Sequence, residues 1–128
     1  MTEEVSARIV DQRIRNRIIE AVEMLADGAE GLGHVGFVEF FESFYDWIPY
    51  GSQLHPNSAL NDEERIELID LAEFLDRACD ATPSDMTAVE FIATGWPDRI
   101  QPRAREVLAV FVGRGKFDEE REEERPSR

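Results

Sequence analysis

The chain has 128 residues and a formal net charge of −14, from 28 acidic and 14 basic side chains. That length fits one domain able to bury roughly 68% of its unfolded surface, so the fold requires neither a metal nor a disulfide. The acidity disfavours a nucleic-acid partner, because phosphates attract basic surfaces, and a 42% hydrophobic content disfavours wholesale disorder.

The first predicted helix runs from Thr2 or Ser6 to Asp27. Val5, Ile9, Ile14, Ile18, Val22 and Leu25 recur at helical spacing, and Glu3 and Glu4 suit the positive end of its dipole. Gly28 is the expected terminator, and residues 28–33 are expected to form a loop.

The second element begins near His34 and contains seven of the twelve aromatic residues, between Phe37 and Tyr50. Phe37, Phe41, Phe44 and Ile48 keep helical spacing, so a helix is expected, ended near Trp47 or Ile48 by Pro49. Phe37, Phe41 and Phe44 are assigned to the core. Tyr45, Trp47 and Tyr50 are better suited to an interface, where tyrosine and tryptophan are enriched. Glu39, Glu42 and Asp46 form an acidic stripe beside them.

Residues 49–61 have a loop composition. Asn61 and Glu64 then match a capping box, which predicts a helix from Asp62 to Cys79. Its apolar set includes Ile66, Leu68, Ile69, Leu71, Phe74 and Leu75, a stripe wide enough for several packing neighbours. Glu63, Glu67, Asp70 and Glu73 occupy its solvent side. Like charges at this spacing cost stability, which points towards binding.

Thr87 and Glu90 form a second capping box, which predicts a short helix over 88–94 stopped at Gly95. Trp96-Pro97 reads as a turn. The last helix is expected to start between Asp98 and Pro102 and to end at Gly113 or Gly115. From these elements the expected fold is all-α: a compact bundle of four main helices plus one short helix. Residues 1–117 form one domain, and 118–128 a charged, disordered tail.

Charge is unevenly distributed along the chain. Residues 62–85 hold nine acids and two arginines, whereas residues 86–117 hold three acids and five bases. The acidity therefore belongs to the folded middle. Such a block can steer a basic partner and help exclude others.

Motifs for chemistry are lacking. His34 and His55 form no His-x-x-x-His or Cys/His pair, so no metal or other cofactor is expected. Cys79 falls on an apolar stripe and reads as a small core residue. No nucleophile elbow or phosphate-binding loop occurs, so the chain is not expected to be an enzyme. No apolar run is long enough to span a membrane, and the N-terminus lacks the pattern of a secretory signal. With a single cysteine, these features lead to an expected cytoplasmic location.

Three stretches resemble small bacterial toxin-immunity proteins: NRIIEAVEMLA from Asn16, VEFFESFYDWIPY from Val38, and ATPSDMTAVEFIATGWPDRIQPRAREVLAVFVGRG from Ala81. The likeness is one of size, acidity and helical pattern, over less than half of the chain, and it transfers no functional residues. It implies an inhibitor that neutralises one cognate toxin by protein–protein binding. The expected partner-binding surface is Glu39, Glu42, Asp46, Trp47, Tyr50, Glu63, Glu67, Asp70 and Glu73, facing a basic protein. The alternative is a helical assembly protein, including a homodimer that buries Tyr45, Trp47 or Trp96 across a two-fold axis.

Overall fold

The computed structural model describes residues 5–28, 30, 37–51, 53–83 and 85–123, with the backbone alone at 37 and 38. Among these residues the secondary structure is helical, without strands. Glu3, Glu4, His34, most of the 28–33 loop and the Phe37 side chain lie outside what is described.

Helix α1 spans Ala7–Ala26, and the Ser6 hydroxyl caps it by accepting from the Ile9 N–H at 3.2 Å. Gly28 follows with φ +60°, a left-handed conformation that favours glycine. A Cβ there would also come within 3.0 Å of the Gln101 side chain. Helix α2 spans Phe37–Tyr45, and its hydrogen bonding runs on through the Asp46 and Ile48 N–H groups to the expected stop before Pro49. Helix α3 spans Asp62–Asp80 with the Asn61–Glu64 capping box formed, and α4 spans Ala88–Ala93 with the Thr87–Glu90 box formed.

Helix α5 spans Trp96–Val112 and starts earlier than expected. Gly95, at φ +86°, reverses the chain directly into it, and Pro97 falls in the first turn, where its missing N–H costs nothing. The Trp96-Pro97 turn of the sequence reading is therefore the first helical turn.

Helix α5 lies at the centre, packed against α1, α3 and α4, while α2 packs on α1. The core joins Ile18, Val22 and Leu25 of α1 to Phe40 and Phe44 of α2 and to Leu68, Leu71 and Leu75 of α3. Phe91 contributes from α4, and Ile100, Val107 and Phe111 from α5. Phe91 meets Phe40 edge-on at 6.1 Å and Phe41 at 5.3 Å, so the short α4 is anchored by one aromatic.

The apolar stripe of α3 is narrower than its sequence implies. Leu68, Leu71, Ala72, Leu75 and Ala78 are buried, but Ile66 is 65% exposed and Ile69 also faces solvent. Cys79 is half-buried beside the core. Burial, followed by the charges of Asp80 and Asp76, raises its pKa, so the thiol carries none of the acidification that a nucleophile needs.

A buried ion cluster ties together segments distant in sequence. Arg15 and Glu64 are both 0% exposed. Arg15 Nη1 donates to Glu64 Oε1 at 2.7 Å and to the Ala59 carbonyl at 2.9 Å, and its Nε and Nη2 both reach the Gly115 carbonyl. Arg114 reaches the same carboxylate. The Arg15 guanidinium lies over the rings of Phe111 and Phe117, at 4.8 and 4.5 Å. Burial pushes the Glu64 pKa up, but hydrogen bonds from Arg114, Arg15 and the Asn61 backbone outweigh it and hold the carboxyl below its ordinary range.

Residues 118–123, expected as the start of a disordered tail, bend into a turn held against α1, with Asp118 Oδ1 accepting from the Glu120 and Arg121 N–H groups. Gln12 Nε2 donates to the carbonyls of Asp118 and Arg121, at 2.7 and 2.8 Å, and Gln12 Oε1 accepts from the Glu123 N–H. Arg13 Nε donates to the Glu119 carbonyl, and Asn16 holds both Phe117 and the Glu119 carboxylate. Paired backbone groups, together with the buried Phe117 ring, explain why this polar run is held in place. Residues 124–128 lie outside the description.

Candidate protein-binding surface

Two groups of the predicted residues occupy different settings. Helix α2 and its C-terminal turn supply Glu39, Glu42, Asp46 and Trp47. Glu39, Glu42 and Asp46 are exposed and Trp47 is half-buried. A cleft of about 250 Å³ opens on one side of Trp47, between α1 and α2, lined by Arg17, Glu20, Met24, Glu39, Asp46 and Trp47. A second cleft of about 250 Å³ also borders Trp47 and Asp46. Its other walls are Ile14 and Ile18 of α1 and Leu54, His55 and Pro56 of the loop before α3.

Within the first cleft, Arg17 pairs with Glu20 at 3.1 Å and also with Glu119. Glu20 is shared with Lys116 at 3.2 Å. Glu39 and Asp46 form no ion pair among the described residues, so their carboxylates remain available to an incoming cation.

Tyr50 is 51% exposed, and its hydroxyl donates to both Asp80 oxygens, at 2.7 and 2.9 Å. Tyr45 donates to Asp76 Oδ1 at 2.8 Å, and the Gly51 N–H reaches Asp76 Oδ2 at 3.0 Å. Burial first, then the bond to Asp76, pushes the Tyr45 phenol pKa well above its ordinary value. These bonds fasten the end of α2 to one side of α3 and use the polar handles that would suit Tyr45 and Tyr50 to a partner.

The remaining predicted carboxylates lie elsewhere on α3. At roughly 100° per residue, Glu67 points to the side opposite Asp76. Glu63 and Glu73 are exposed, Glu67 is half-buried, and Asp70 is bound by Arg103 at 3.1 Å. The expected acidic face is thus divided. One part flanks Trp47, and the other surrounds the exposed Ile66 and Ile69 with Asp62, Glu63, Asp70 and Glu73.

Sequence reasoning missed the two exposed isoleucines, because helical periodicity gives the direction of a stripe but not its width. It also missed Arg15, Gln12 and Asn16 as buried groups. The available signal was the polar row Arg8, Gln12 and Arg15 at i, i+4 and i+7, which marks a second covered face of α1.

Among the described residues, no group of three or more histidine, cysteine, aspartate or glutamate side chains could hold a metal ion. No described helix is long and apolar enough to cross a membrane. No family model, curated protein or solved structure matches the chain.

Proposed function

We propose that this chain is a non-catalytic acidic binding protein that docks on a basic protein. Its most concrete form is an immunity protein that neutralises a basic cognate toxin, such as a nuclease. The observation that carries the reading is the outer face of α3, where the 65% exposed Ile66, with Ile69, lies among Asp62, Glu63 and Glu73. An apolar centre bordered by charges is the arrangement of a protein contact, in which the centre supplies affinity and the rim steers encounter. A second copy of the chain is a poor occupant for this face, because each copy carries −14 and like charges would meet.

Affinity capture tests the reading. Tagged wild-type chain and an Ile66→Arg variant are exposed to native-host lysate, and the retained proteins are identified by mass spectrometry. The expected result is a basic protein retained by the wild type and depleted at least tenfold by the variant. Equal recovery by both baits, or recovery of acidic proteins alone, overturns the proposal. The fold tolerates this substitution, since exposed positions away from special features change stability by only about 0.5 kcal/mol.

A second reading, self-association, draws on the 77% exposed Val89 and the 75% exposed Val112. Light scattering at high concentration separates the two, because a strict monomer removes the homodimer.

A further inference from the structure

We propose that Trp47 and Asp46 form a socket for a single arginine side chain of a basic protein. The inference rests on the reading of the chain as a binder of basic proteins, and it locates a second contact, away from Ile66. The half-buried indole stands between two clefts of about 250 Å³ each, and Asp46 borders both. One cleft is mainly apolar, walled by Ile14, Ile18, Leu54 and Pro56. The other is lined by Glu39, whose carboxylate forms no ion pair among the described residues.

Arginine fits this combination better than other side chains. Its guanidinium is planar and weakly hydrated, so it stacks on an indole face while donating to a carboxylate. Its three-carbon stem lies well against apolar walls. The chain already uses the same pairing internally, where the Arg99 guanidinium sits 4.0 Å over the Trp96 ring. Lysine offers a compact, strongly hydrated charge and gains less from the indole. The cleft's own cation, Arg17, does not defend it against a second, because Glu20 and Glu119 already compensate its charge.

The socket is testable without an identified partner. A Trp96→Phe variant of the full chain leaves Trp47 as the sole tryptophan, so its fluorescence reports on the site. Octa-arginine and octa-lysine peptides are titrated separately at physiological salt. The expected result is a saturable change in Trp47 emission with octa-arginine and a Kd at least fivefold weaker for octa-lysine. Asp46→Asn should weaken octa-arginine about tenfold. Glu106→Gln, which removes an equal charge from an exposed position on α5, should change it by less than twofold. No change in Trp47 emission overturns the socket, as do equal affinities for the two peptides or equal losses in the two variants. An absent fluorescence response alongside a captured basic partner would overturn the socket and leave the proposed function standing. A specific response without a captured partner would do the reverse.

Discussion

Glu64 Oε1 accepts from the Asn61 N–H at 2.9 Å and from Arg15 Nη1 at 2.7 Å, so one oxygen closes a helix cap and an interior ion pair. Removing the charge strands two arginines, one of them 0% exposed. Glu64→Gln should therefore cost about 3–5 kcal/mol, the range for breaking a buried pair. Chemical denaturation with an unchanged m-value checks it. The pH dependence follows from the depressed pKa of Glu64. Its contribution is complete above the ordinary value of 4.5 and is lost as pH falls through the lower folded-state value. Wild type should lose stability below about pH 4.5, while Glu64→Gln, already weakened, should follow a flatter curve. Half of this arrangement was legible in the sequence. The capping box needs only residues three apart, so Asn61 and Glu64 declared it. The ion cluster draws on Arg15, Ala59 and Gly115, which no local pattern brings together.

Helix starts were legible at the two capping boxes, Asn61–Glu64 and Thr87–Glu90, whereas the start of α1 stayed open between Thr2 and Ser6. Ser6, Asn61 and Thr87 each open a helix through a side chain that accepts a backbone N–H. Thr87→Ala should cost about 0.5–2 kcal/mol, read as a lower midpoint in thermal melts followed by circular dichroism. Where the cap is conformational, the sequence misled. The left-handed Gly95 starts α5 at Trp96, ahead of the expected start between Asp98 and Pro102. The C-terminal strap, residues 118–123, was equally hidden, because its backbone carbonyls and the Glu119 carboxylate bond to α1 side chains far away in sequence. The bond from Asn16, then the charge of Arg17, lowers the pKa of Glu119, so docking is favoured above that group's ordinary value of 4.5. As pH falls through the depressed value, the strap should loosen. Side-chain amide resonances of Gln12 and Asn16 should then move towards free-amide positions in NMR spectra.

At the scale of the molecule, the charge pattern was readable but its geometry was not. The linear count located the acidity between Glu30 and Asp85. It did not show that Asp76 and Asp80 are occupied by tyrosines and a backbone amide, or that Asp70 is held by Arg103. The carboxylates that form no ion pair among the described residues, including Glu39, Asp46 and Glu63, form the part of the charge a partner can still use. Association with a basic partner should accordingly slow as ionic strength rises, because the screening length falls to about 8 Å at physiological salt. Stopped-flow rates measured between low and high salt should fall at least tenfold, with a smaller change in dissociation. Salt-independent association would contradict steering by this surface.

The Arg15 cluster also bears on how the protein is made. Its last acceptor, the Gly115 carbonyl, is joined to the chain about a hundred residues after the arginine that needs it. During synthesis at roughly 5–20 residues per second, α1 and α3 emerge, and Arg15 can meet Glu64, while that acceptor is still missing. The core helices can collapse in that interval, yet burying Arg15 then leaves a guanidinium short of partners. Closure waits for residues 114–117. A copy whose synthesis stops at α5 keeps the Arg15–Glu64 pair but leaves the Arg15 Nε and Nη2 donors without their acceptor in the interior.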